Sequence, residues 1–340
     1  MVEGNLNLQS NTPEQILQRL EWRVVRRLDG LLQGDYRTLF YGTGIDFADL
    51  REYQAQDDVR YIDWNVTARM DSPYVRQYVE DREITAWFLL DLSASMNFGP
   101  LDRPKGSVLN DLVATLARVL TRDGNRVGAI LYKSRVELTI PPKSGRNQVL
   151  RLLRELLRET QATGTPLTSG KRPEEETQSF WRNLFSKRSE SLSVNRKNQK
   201  KHGREATDLS ALLNAGLNTF RRRSLVFVIS DFISEPGWER PLALLARRHE
   251  LVAIRLWDPQ EVTLPNAGLM LVEDAETGEY FSVDTGDPGF RQRFQEAAQQ
   301  RKETLALSTR RAGVDLFDIS NEEDVTNAIV RIASLRKRRR

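Results

Sequence analysis

Residues 84–96 read ITAWFLLDLSASM. The stretch from Ile84 to Leu90 is short and rich in large apolar residues, and it ends on Asp91, with Ser93 and Ser95 at the next alternate positions. A run of this kind, followed by polar and glycine-containing sequence, predicts a strand covered on both faces, as in an α/β sheet. A carboxylate and two hydroxyls just past such a strand can converge on one hard cation. Oxygen-only donors suit magnesium, which takes one or two protein carboxylates and keeps several waters. The same residues also suit a polar turn, with Asp91 ending the strand and Ser93 or Ser95 capping the next helix.

Two later segments favour the cation. In ATDLSALLNAGL, residues 206–217, Thr207 and Asp208 precede a helical pattern of Leu209, Leu212, Leu213 and Leu217. An N-cap explains part of that arrangement. In SLVFVISDF, residues 224–232, a second buried-strand run ends on Ser230 and Asp231. Asp91, Ser93, Ser95, Thr207 and Asp231 thus fall at strand ends or helix starts, positions that gather at the carboxyl edge of a parallel sheet, where ligands bind.

This set, DxSxS followed by a Thr and then an Asp, resembles the metal-ion-dependent adhesion site (MIDAS) of von Willebrand factor A-type domains. The resemblance widens over residues 42–96, GTGIDFADLREYQAQDDVRYIDWNVTARMDSPYVRQYVEDREITAWFLLDLSASM, which are similar to the hallmark stretch of the bacterial DUF58 family. PPKSGRNQVLRLLREL at 141–156, ATDLSALL, VISDFIS and the run at 246–280 extend it over most of the chain. It implies a von Willebrand A-like (Rossmann-type) α/β fold, with a mainly parallel sheet and helices on both faces. It also implies Mg2+ or Mn2+ held by Asp91, Ser93, Ser95, Thr207 and Asp231. A client protein's acidic residue would fill the open position. The partner it implies is a MoxR-type AAA+ ATPase, with a chaperone-like role in maturation or assembly of other proteins.

The chain has 340 residues, enough for a substantial core, and no cysteine, which excludes disulfides and thiolate metal sites. No apolar stretch approaches the roughly 18 residues of a membrane span, and the first residues lack a secretory pattern, so a cytoplasmic location is expected. Between Thr160 and Ala206 ten Lys or Arg face five Glu, a local excess larger than the whole chain's net +4. That segment lacks an apolar period and reads as a disordered insertion, with one apolar knot at Phe180, Trp181, Leu184 and Phe185. The basic tail RKRRR, 336–340, suits a solvated helix end. No recognition motif or stacking array accompanies either cluster, so no specific nucleic acid is expected.

Four units follow. Residues 1–33 hold an amphipathic helix with Pro13 at its start and Ile16, Leu17, Leu20, Val24, Leu28, Leu31 and Leu32 on one stripe. Residues 34–82 form a small β-containing subdomain. Its opposite charges, including Arg51, Asp57, Asp58, Arg60 and Asp63, point to ion pairs that fix loops. Residues 83–335 form the main α/β domain with the insertion at 160–206, and the tail closes the chain. Within the main domain an antiparallel hairpin is expected at 126–140, and another at 269–284. A helix spans 289–312.

Catalytic groups are scarce. His202 and His249 are the chain's two histidines, and His249 reads as structural. GTPLTSGKR at 164–172 departs from a phosphate-binding loop, because its glycines are too far apart and Arg172 stands where Ser or Thr is needed. The expectation is a binding protein and not an enzyme. The alternatives are a magnesium-dependent hydrolase using Asp91, and an RNA-binding protein using the insertion and tail.

Overall fold

The computed structural model describes residues 12–14, 46–54, 57–70, 72–79, 84–100, 103–122, 124–162, 207–273 and 280–339. Strand β1 (Asp46–Glu52) pairs antiparallel with β2 (Tyr74–Val79), and helix α1 (Trp64–Met70) lies between them. The subdomain expected to contain β structure thus also holds a helix, whose sequence DWNVTARM has no apolar stripe to announce it. Its start is fixed by Asp63, whose carboxylate accepts from the amides of Asn65 and Val66. The expected charge pairing is present. Arg51 grips both oxygens of Asp57 at 2.5 and 2.8 Å, and Arg60 pairs with Asp58.

The main body is a six-stranded sheet in the order β10-β7-β6-β3-β4-β5. Its strands are β3 (Thr85–Asp91), β4 (Arg126–Tyr132), β5 (Val136–Lys143), β6 (Leu225–Ser230), β7 (Glu250–Trp257) and β10 (Asp315–Ser320). All neighbours are parallel except β4 and β5, which form the antiparallel hairpin expected at 126–140, with Lys133–Arg135 as the connection. The remaining pair, β8 (Leu269–Glu273) and β9 (Tyr280–Asp284), is the second expected hairpin.

Helices cover both faces. On one side α2 (Lys105–Arg122), α3 (Arg146–Ala162) and α7 (Val325–Arg339) pack on Ala86, Phe88 and Leu90 of β3 and their neighbours. On the other, α4 (Leu209–Thr219), α5 (Glu239–Arg248) and α6 (Pro288–Arg311) pack on Trp87, Leu89, Val226 and Val228. Residues 86–91 are all buried, which explains why β3 carries no alternating pattern: each face meets a helix layer. The expected mixed α/β architecture with a mainly parallel sheet is therefore present.

Several boundaries differ from expectation. Helix α3 continues to Ala162, so the first residues assigned to the insertion are helical, and the rest, 163–206, lies outside the described residues. Pro13 and Glu14 are helical, while the remainder of the expected 13–33 helix also lies outside them. No described helix is long and apolar enough to cross a membrane.

Candidate functional site

The register of the parallel strands assembles the site. Asp91 is the last residue of β3, beside Tyr132 of β4 and, one step past Leu90–Ile229, beside Ser230 of β6. Ser230 in turn pairs with Arg255 of β7. These positions share the face of Trp87 and Leu89, because side chains two apart on a strand point the same way. A polar row therefore crosses the carboxyl end of a sheet whose preceding rows are apolar.

Asp91 is fully buried, and its carboxylate is held by neutral donors. Ser93 N donates to Oδ1 at 2.9 Å and Ser230 Oγ donates to Oδ2 at 2.6 Å. Ser93 Oγ and Ser95 Oγ lie 3.0 Å apart, and both residues are buried. Ser93 begins the 3-10 turn Ala94–Asn97 without capping it through its side chain, so the hydroxyl is not consumed by helix initiation. Burial, and secondarily the charge of Asp231, pushes Asp91 up to about 6. Among the described residues no cation pairs with it.

Thr207 is buried directly before α4. The helix cap is Asp208, which accepts from Ser210 N, so Thr207 is not the capping residue. Two bonds staple Thr207 to the loop after β6: its carbonyl accepts from Ser234 Oγ at 2.9 Å and from Glu235 N at 3.1 Å. Asp208 N donates to the Tyr132 hydroxyl, which ties the same segment to the end of β4. The connection before α4 is thereby brought to the edge that carries Asp91 and Asp231.

Asp231 follows the last residue of β6 and is buried. Its Oδ1 accepts from Ile233 N at 2.9 Å. Between them Phe232 has φ +58°, a left-handed conformation uncommon for a non-glycine residue. The Phe232 amide donates to Ser230 Oγ, and its ring meets Trp238 edge-on with centroids 5.7 Å apart. These contacts hold the backbone in a shape it would otherwise resist.

Three participants escape the sequence reading. Lys105, the first residue of α2, reaches Asp231 Oδ2 with its ammonium at 2.9 Å, and both side chains are shut off from solvent. The same ammonium contacts Glu261, in the turn after β7. Burial alone would lower the Lys105 pKa, but the Asp231 and Glu261 charges hold it above its ordinary value. The third, Ser230, stands at the end of its strand run in the sequence, but its bond to Asp91 follows only from the strand register. Arg301 of α6 lies within electrostatic reach: burial lowers its pKa, Arg255 acts the same way, and Glu261 and Asp231 oppose.

The structure thus brings together the candidate residues at the sheet's carboxyl edge and adds a lysine to them. The donors are carboxylate and hydroxyl oxygens, the set a hard divalent ion takes. Among the described residues no three of His, Cys, Asp or Glu cluster as a metal site, so any such ion would depend on the hydroxyls of Ser93, Ser95 and Thr207. The donor chemistry fits the ion. With Asp91 ionised, the carboxylates of Asp91, Asp231 and Glu261 outnumber the nearby cations Lys105 and Arg301 by one, so the site keeps a negative charge that a cation would offset.

Residues 49–304 match the family described as protein of unknown function DUF58. The chain belongs to the DUF58 family. An uncharacterized protein of Mycobacterium tuberculosis is 32% identical over 324 residues, covering 95% of this chain and 89% of its own. An uncharacterized Mycobacterium avium protein is 35% identical over 133 residues, 38% of this chain and 77% of that one. Among solved structures, the conserved hypothetical protein BatB from Bacteroides thetaiotaomicron has 13% identity and a TM-score of 0.38, over 75% of this DUF58 chain and 99% of its own. An aerotolerance-related membrane protein from Bacteroides fragilis has 13% identity and a TM-score of 0.40, over 76% and 100%.

Proposed function

We propose that this DUF58 protein is a metal-dependent protein-binding module of the adhesion-site type, built on a von Willebrand A-like domain. The observation that carries the reading is Asp91, a carboxylate with no exposed surface, flanked by buried hydroxyls, near a second carboxylate and without a cation partner among the described residues. A buried charge of that kind is costly unless paired or ligating. Mg2+ or Mn2+ would supply the missing charge and leave a position for an outside acidic group.

Asp91, Ser93, Ser95 and Thr207 would hold the ion directly or through water, and Asp231 would complete the charge. A client's Asp or Glu would then bind to the ion. The family resemblance names a MoxR-type AAA+ ATPase as the motor, with this chain as a cytoplasmic adaptor in maturation or assembly of other proteins. No nucleophile–base pair is assigned to the site, so the reading is a binding protein and not an enzyme.

The test is affinity capture with the full chain in Mg2+, in EDTA, and with Asp91→Ala whose fold is verified by circular dichroism. Partners retained in Mg2+ and lost in the other two arms support the proposal. An identical partner set in all three refutes it.

A further inference from the structure

We propose that Lys105 is a tethered counter-cation that competes with a divalent ion for Asp231 and so sets how tightly the site takes that ion. The inference rests on the metal reading above and adds a residue to it. A lysine ammonium is compact and strongly hydrated, and it is seldom fully buried without charged partners. Lys105 meets that condition through Asp231 at 2.9 Å and through Glu261.

The ammonium is also fixed in place. Lys105 opens α2, and its backbone amide donates to Phe98 O at 3.2 Å. Glu261 is held by a reciprocal cap: its Oε2 accepts from Asp258 N at 3.2 Å, and Asp258 Oδ1 accepts from Gln260 N at 2.7 Å. Asp258 is itself contacted by the Asn321 amide from the segment after β10. Glu261 therefore cannot follow the lysine elsewhere without undoing the turn, and the Lys105 side chain is fully buried.

The two aspartates differ as a result. Among the described residues Asp91 is bonded by neutral groups alone, whereas Asp231 spends one oxygen on the Ile233 amide and the other on a full positive charge. A divalent ion sharing Asp231 meets like-charge repulsion from Lys105, stronger in a buried site than in water. Glu261 moderates that repulsion by taking part of the ammonium's charge. Removing the lysine exposes Asp231 and Glu261 to each other, which weakens the metal-free fold and strengthens demand for a cation.

Mn2+ titrations by calorimetry, with thermal melts in Mn2+ and in EDTA, test this on wild type, Lys105→Met and Glu261→Gln. Lys105→Met is expected to bind Mn2+ at least tenfold more tightly than wild type and to gain more melting temperature from it. Glu261→Gln, which leaves the ammonium less neutralised, is expected to bind more weakly. If Lys105→Met folds only with Mn2+, that dependence supports the proposal. If it folds in neither buffer, Glu261→Gln decides, and unchanged affinity overturns the proposal.

Wild-type binding with no tightening in Lys105→Met overturns the competition and leaves the metal reading intact. Binding by Lys105→Met alone supports the competition and removes the metal from the natural chain. Binding by neither overturns both.

Discussion

Ser230 Oγ donates to Asp91 Oδ2 at 2.6 Å across the neighbouring parallel strands β6 and β3, and the same oxygen accepts from the Phe232 amide. One hydroxyl therefore satisfies the buried carboxylate and helps hold the left-handed turn that presents Asp231. Ser230→Ala removes both roles at almost no change in volume. The expected loss is about 2–3 kcal/mol, since a buried charged acceptor and an amide each lose a partner. Urea denaturation measures it, and a loss below about 0.5 kcal/mol would show that the turn stands without the serine.

The position of Asp91 near pH 6 sets a pH dependence of definite sign. Burial, with Asp231 adding to it, makes the folded carboxyl bind its proton more tightly than the unfolded one does. Its contribution to stability is then complete below the unfolded value near 3.9, and it is lost as pH rises through about 6. In EDTA, Asp91→Asn should therefore gain on wild type as pH rises from about 4 to about 6, by an amount on the order of 3 kcal/mol, with little further change above that. A metal reverses the preference, because it requires the ionised form. Mn2+ affinity of the wild type should accordingly fall tenfold for each pH unit below about 6. Flat affinity between pH 5 and 7 would remove Asp91 from the ligand set.

How much of this could be read from the sequence depends on the range of the cause. ITAWFLL and LVFVI are legible as doubly covered strands because burial on both faces leaves its mark within each segment. Asp91, Ser93 and Ser95 follow from the end of the first run, and Asp231 from the end of the second. Lys105 is illegible because it reads as an ordinary first-turn lysine, and what buries it comes from Asp231 and Glu261, far along the chain. Helix α1 is missed for a related reason: it buries no residue, so its sequence carries no apolar stripe. Its one local signal is Asp63 as a cap.

His249 titrates in the opposite sense to Asp91. The residue is buried at the end of α5, its imidazole edge-on to Phe220 with centroids 5.5 Å apart, and both ring nitrogens lack a hydrogen-bond partner among the described residues. Burial, and then the charge of Arg248, depresses its pKa, so the folded state keeps the neutral ring. Its contribution is present above the ordinary value near 6.5 and is lost as pH falls below that toward the depressed folded value. His249→Phe, which needs no proton or hydrogen bond there, should flatten the stability profile on the acid side of pH 6.5. Stability curves of the two proteins that stay parallel from pH 7.5 to 5 would contradict this.

Gly128 offers a test of the sheet that carries the site. It sits in the middle of β4, opposite Trp87 of β3. A Cβ there would come within 2.9 Å of the Ile140 carbonyl and of two Trp87 ring carbons. Neither neighbour can yield cheaply: the carbonyl is backbone of the paired strand β5, and the indole is buried with its ring 4.7 Å from Phe220. Overpacking of this kind typically costs about 1–3 kcal/mol. Gly128→Ala should lower the urea midpoint and alter tryptophan fluorescence while leaving Mn2+ affinity within about twofold of wild type, because the strain lies four residues before the edge where Asp91 and Tyr132 meet. A drop in Mn2+ affinity without loss of stability would mean that the site is coupled to the centre of the sheet, and not built at its carboxyl edge alone.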